Sequence, residues 1–260
     1  LRKLLASSTF AIAGALTTTN AGATAVRIID TTTAALGNIT TGALGTVTLG
    51  GATTDNLSGA VTQTGIITAG TLTGNAGSTV NLSGANALTN LAAFTSNGTF
   101  TLNNAGALNV TGAINSGIGG VTISTTAGAL SILAVGDITA GDAVSLTGAG
   151  GISTAGDITT TDDNVTYASA VALTGPVAVN TGAGAGTITF SSTVDGAQDL
   201  TLTAGTGNVT FAGVVGATRL EDVTIVSAAD VTATTLSAAT LTQSAGTGTT
   251  TFNGAVNTNA

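Results

Sequence analysis

The side chains here that could do chemistry are nearly all carboxylates, and they recur. Asp137 and Asp157 sit in the matched segments Gly136-Asp137-Ile138-Thr139-Ala140 and Gly156-Asp157-Ile158-Thr159-Thr160, 20 residues apart. Asp142 and Asp162 repeat that interval, Asp163 adjoins Asp162, and Asp199 and Asp222 precede the apolar residues Leu200 and Val223. Carboxylates stacked in successive repeats repel one another unless a cation lies between them, and oxygen ligands at turns are what Ca²⁺ selects. Asp142, Asp157, Asp162 and Asp163 are therefore the candidate calcium ligands. The competing reading is that Asp caps turns and keeps the chain soluble. It is favoured, because the nonapeptide Gly-Gly-x-Gly-x-Asp pattern of calcium-binding repeats is missing.

Paired carboxylates also serve glycoside hydrolysis, but such a site adds aromatic platforms and an acid of raised pKa in a cleft. The only Tyr is Tyr167, Trp is absent, and the bases a sugar lyase could use reduce to Arg27 and Arg219. No catalytic residue is assigned, and the chain is expected not to be an enzyme. Without His or Cys there is no Ser-His-Asp or Cys-His nucleophile, zinc finger, thiolate cluster or disulfide. The Gly-rich stretches Gly148-Ala149-Gly150-Gly151 and Gly182-Ala183-Gly184-Ala185-Gly186 lack the Lys-Ser/Thr of a phosphate loop and read as turns.

Four basic residues against twelve acids leave a net charge of −8, the wrong sign for a phosphate-binding surface, so nucleic acid is not an expected partner. With 43% hydrophobic and 6% charged residues, the chain is too apolar for a disordered segment.

Arg2 and Lys3 open the chain, an uncharged stretch runs from Leu4 to Leu16, and Ala21-Gly22-Ala23 follows. A basic start, a short apolar middle and a small-x-small site form the layout of a secretory signal, with cleavage expected after Ala23. The alternative is that residues 1–23 form a short helix capping the fold. The apolar stretch is too short to cross a bilayer, and no second run of that kind follows.

The elements that must position these acids declare themselves by repetition. The series Gly-x-x-Thr-Phe recurs at Gly186–Phe190, Gly207–Phe211 and Gly248–Phe252, and the last step equals two periods. Two ladders follow nearly the same interval. One reads Ile138, Ile158, Val179, Leu200, Val223, Leu241; the other reads Val121, Val144, Val165, Ile188, Val209 and, two periods on, Thr250. Each rung starts a short apolar-polar-apolar run such as Val47-Thr48-Leu49, Val144-Ser145-Leu146 or Ile188-Thr189-Phe190, which is a strand signal. Strands this short need stacking. A right-handed parallel β-helix of ~20-residue coils over residues 24–260 supplies it, because the same strand in the next coil pairs at about 4.8 Å. About eleven coils are expected. Between Thr24 and about Leu91 the period is blurred.

Pro176 is the only proline, as expected where backbone N–H groups are committed to ladders. Asn164, Asn208 and Asn253 fall near coil turns, where Asn tolerates positive φ and can stack its amide on its neighbour. Thr-x-Thr pairs occur at Thr46/Thr48, Thr71/Thr73, Thr99/Thr101, Thr187/Thr189, Thr201/Thr203 and Thr249/Thr251. A flat array of such pairs would resemble an ice-binding face. Their intervals are irregular, which fits ordinary outward strand Thr.

The segments AVGDITAGDAVSLTGAGGISTAGDITT (Ala134 to Thr160) and GTITFSSTVDGAQDLTLTAGTGNVTFAGVV (Gly186 to Val215) resemble the repeats of filamentous-haemagglutinin-type exoproteins and bacterial autotransporter passengers. The resemblance covers the C-terminal half. It implies an extracellular β-helix at a bacterial cell surface, acting as an adhesin or its stalk, with host or neighbouring-cell surface molecules, or other copies of itself, as partners. An Asn-Pro-Asn secretion motif and a C-terminal alternating barrel segment are missing. Together with an end inside a repeat, at Thr251-Phe252-Asn253-Gly254, this suggests a piece of a longer protein. A filament subunit joined end to end, or a carbohydrate-binding or carbohydrate-cleaving β-helix, are the alternatives.

Overall fold

The computed structural model describes residues 8–51 and 57–258. Among them every regular element is a strand, and every strand pairing is parallel. The cause is local. In Val121–Thr125 and Val144–Gly148 alternate positions, led by Val, Ile and Leu, are buried, while Thr122, Ser124, Ser145 and Thr147 between them face outward. Gly-rich turns cut these runs after three to five residues, so each run meets its counterpart one coil later instead of folding back as a hairpin.

The result is a parallel β-solenoid of about 12 turns, with coils of about 21 residues. One face, here face 1, runs without a break from Thr9–Ala11 to Thr250–Phe252. Its inward column passes through Phe100, Val121, Val144, Val165, Ile188 and Val209 to Val231 and Thr250. The sequence ladder had no residue at the position Val231 fills. At about 4.8 Å per coil the described turns make a rod roughly 55–60 Å long. In the C-terminal half, face 2 carries Leu130–Ile132 and Ile152–Thr154, and face 3 carries Ile138–Ala140 and Ile158–Thr160.

The tube interior is a set of like-on-like columns. Beneath face 1, Leu102, Ile123, Leu146, Tyr167, Phe190 and Phe211 follow in register. Tyr167 and Phe190 stack with ring centroids 4.8 Å apart and planes at 8°, Phe190 and Phe211 at 5.2 Å and 6°. Isolated aromatic pairs prefer offset or edge-on contacts; here the coil spacing imposes near-parallel rings. A second column, at the corner entering face 1, is small and hydroxylated. Ser96, Ser116, Thr160 and Thr181 are buried there and donate to the carbonyls of Gly98, Gly119, Asp163 and Gly186 in their own turns. Each of these four turns is thereby pinned, and none of the four hydroxyls is left unpaired.

The N-terminal turns are built differently. Ile67–Ala76 and Val80–Ser96 are strands of 10 and 17 residues that run through the corners. Val80–Ser96 alone pairs with Phe100–Asn104, Leu108–Val110 and Ile114–Asn115. Register shifts let it bend, one of them between Leu102 and Asn104. The corner beside it is held by two fully buried amides. Asn104 Oδ1 accepts from Leu88 N–H and its Nδ2 donates to Leu88 C=O, so the side chain replaces a strand neighbour. Asn86 Oδ1 accepts from Ile67 N–H, and its Nδ2 donates to the Leu82 and Asn103 carbonyls.

Three expectations are corrected. The N-terminal helix is replaced, from Thr9 on, by strands: Thr9–Ala11 pairs with Thr33–Ala35 and Ala15–Thr17 with Asn38–Thr40, so the solenoid begins well before residue 24. Arg2, Lys3 and the rest of residues 1–7, on which the signal reading also depends, lie outside the described residues. The first sequence ladder slips at Val179, which pairs with Leu202, while Leu200 pairs with Val177, because Val177–Asn180 has grown to four residues. Finally, Asn164 and Asn208 do not stack their amides; they accept backbone N–H groups of the next coil, from Thr187 and Asp230.

Candidate functional site

The acids of the C-terminal half collect at two edges of the rod. Asp137, Asp157, Asp195, Asp199 and Asp222 lie between faces 2 and 3 or just inside them, and Asp142, Asp162 and Asp163 lie in the turns leading into face 1. Their recurrence has a structural cause, since each strand start leaves a backbone N–H beyond the end of the ladder. Asp137 Oδ1 accepts from Asp157 N–H at 2.9 Å, and Asp157 Oδ1 from Ala178 N–H at 2.7 Å. Asp199 does the same for Asp222 at 3.0 Å, Asp195 for Thr218 at 2.9 Å and Asp230 for Thr249 at 2.7 Å. The carboxylate of one coil thus caps the next, and charge-assisted bonds of this kind are stronger than neutral ones.

The four sequence-chosen calcium ligands are placed as follows. Asp142 and Asp163 occupy equivalent turn positions in adjacent coils, two residues before the paired Val144 and Val165. Asp142 Oδ1 accepts from the next residue, Ala143 N–H, and Asp162 Oδ1 from Gly184 N–H one coil on. Asp162 holds φ at 65°, the left-handed conformation that Asp tolerates in turns. Asp157 sits at the far end of the strand Ile158–Thr160, about 10 Å away at an extended-chain rise. The structure therefore brings Asp142, Asp162 and Asp163 to one edge and leaves Asp157 on another. Among the described residues no three His, Cys, Asp or Glu side chains are grouped closely enough to hold a metal ion.

Tyr167, the one aromatic residue considered as a sugar platform, is fully buried in the stacked column and its hydroxyl has no partner. Burial pushes its phenol far above the ordinary tyrosine value, and the nearby Asp157 charge adds to the rise. Arg219, on the strand Val215–Ser227, has its Nε and Nη2 buried without partners. Two surface grooves lie among the described residues. One of about 280 Å³ is lined by Thr48, Thr73, Asn75 and Thr95 over a glycine floor, and one of about 260 Å³ by Ser153, Ala172 and Asp195. Neither carries an aromatic ring or a basic side chain.

What the sequence reasoning missed is an alignment of hydroxyls. The Thr-x-Thr pairs with irregular intervals distribute over different faces, and on face 1 the insertions fall in turns, so the strand residues come back into register. From Thr101 to Thr251, eight successive rungs present Thr at the central outward position, except for Ser145. The signal was present in the Val-x-Leu/Ile/Phe frame, since each of these hydroxyl residues follows a face 1 ladder position.

The arrangement defines the class: a parallel β-solenoid whose acids serve as inter-coil caps. Comparisons with protein-family models, with curated proteins and with solved structures return no match.

Proposed function

We infer that this chain is a rigid rod of an exported bacterial surface protein, working as an adhesive segment or as the stalk that holds one away from the cell. The observation that carries the reading is the unbroken stacking: twelve rungs of face 1 succeed one another, each paired in parallel with the next. A structure in which every coil touches only its neighbours gains length by repetition, which suits a spacer. The repeat texture of Ala134–Val215 supports the same reading through its resemblance to filamentous-haemagglutinin-type and autotransporter repeats. Acidic edges and an almost uncharged face 1 suit contact with cell-surface molecules rather than nucleic acid.

The test is immunogold labelling of intact source cells with an antibody against the purified chain. Gold on unpermeabilised cells is the expected result, and label found only after permeabilisation contradicts it.

A further inference from the structure

We propose that face 1 binds the ordered surface of crystalline water. Four observations converge. First, its central outward column holds a hydroxyl on each of eight consecutive rungs, Thr101 to Thr251, at the fixed coil spacing of about 4.8 Å. Flanking outward columns, about 7 Å to either side, add Thr99, Thr187 and Thr249 on one side and Ser124, Thr147 and Thr234 on the other.

Second, these eight central hydroxyls make no hydrogen bond within the protein, in contrast to the buried Thr125, Thr160 and Thr181, which bond to their own turns. A hydroxyl can both donate and accept, so the column is an unspent row of both functions. Third, charge selects the partner. On the outward positions of these rungs the only charged side chain is Asp230, at the edge. An anionic partner finds no Lys or Arg there, and a cationic one is drawn to the acidic edges instead. Fourth, no aromatic side chain points outward on these rungs, because Phe100, Tyr167, Phe190 and Phe211 are buried in the core and the half-buried Phe252 packs against it. A crystalline polysaccharide would lack the stacking platform that sugars use.

An uncharged, rigid, periodic solid of hydrogen-bonding groups meets all four conditions. The stacked rings beneath Thr166, Thr189 and Thr210 hold the column in place before binding, so little ordering cost remains to be met. The inference stands apart from the surface-rod reading, since it concerns the purified chain alone.

The experiment measures freezing hysteresis and ice-crystal shape for the purified chain, for Thr189→Lys in mid-column and for Thr159→Lys on face 3, with circular dichroism confirming that each variant keeps the β-solenoid. The expected result is faceted crystals and measurable hysteresis for the parent chain and for Thr159→Lys, and loss of both for Thr189→Lys. Should Thr189→Lys fail to fold, Thr166→Asn and Thr210→Asn replace it with the same expectation. Round, unshaped crystals with the parent chain overturn the proposal. So does equal loss in the face 1 and face 3 variants, or capture by microcrystalline cellulose that Thr189→Lys abolishes while ice is left unaffected.

Discussion

The two halves of the rod solve the same corner problem in different ways. From Phe100 to Phe211, strands of two to five residues are cut by turns, and exposed carboxylates cap the next coil. Between Ile67 and Ser96, strands of 10 and 17 residues bend through the corners, and the buried amides of Asn86 and of Asn104 one coil on replace the missing ladder bonds. The comparison teaches that regularity in a solenoid can be stored either in its turns, where it is cheap and exposed, or inside its wall, where each polar group must be fully paired.

That difference predicts unequal sensitivity. The largest effect should come from the interior column both halves share: Phe190→Ala removes the middle ring of the stack and should cost about 3–5 kcal/mol in urea unfolding. A cost near zero would mean that the rings are not stacked in the core. Next is the junction. Asn104→Ala strips partners from Leu88 N–H and C=O inside the wall and should cost about 2–4 kcal/mol, whereas Asn164→Ala, at an exposed turn, should cost about 1 kcal/mol or less. Equal costs would erase the distinction between the halves.

Glycine sharpens it further. A Cβ on Gly74 would lie 2.2 Å from Leu49 O and 2.8 Å from the Phe94 ring, while one on Gly106 would meet nothing within 4 Å. Gly74→Ala should lower the unfolding midpoint by an amount worth about 1–3 kcal/mol, and Gly106→Ala should stay within about 0.5 kcal/mol. Comparable midpoints would contradict the tight passage of the long strand through its corner. Smaller still, Asp157→Asn keeps an acceptor for Ala178 N–H and should be nearly silent, while Asp157→Ala should cost about 1 kcal/mol. The smallest expected effect is that of calcium. Oxygens of Asp157 and Asp162 already hold backbone N–H groups, so adding the ion should leave thermal melting unchanged. A clear rise would place a cation among Asp142, Asp162 and Asp163.

The legibility of the fold in the sequence follows the same division. Where Gly and Asp punctuate the turns, the ladder Val121–Val144–Val165–Ile188–Val209 reads directly and pairs as expected. It blurs where Val80–Ser96 turns corners without punctuation, because Asn86 and Asn104 act through side-chain bonds that leave no periodic trace. The recurring acids were visible, but a carboxylate bonded to the next coil's N–H and one ligating calcium share the same spacing; only the direction of Oδ1 separates them. Tyr167 could not be placed inside or outside by composition, since its apolar body suits the core and its hydroxyl suits the surface. The hydroxyl column was hidden for a different reason. Steps of 19 to 23 residues look irregular along the chain and become uniform only when the variation is assigned to turns.

That uniform register is the central claim, and a single distance tests it. With no native Cys, nitroxide labels at Thr101→Cys and Thr232→Cys report six coils along face 1. Pulsed dipolar spectroscopy should return one narrow distribution centred at about 29 Å, six coil rises of about 4.8 Å. A broad distribution, or a narrow one centred far from that value, would contradict the solenoid register from which the caps, the aromatic stack and the hydroxyl face all follow.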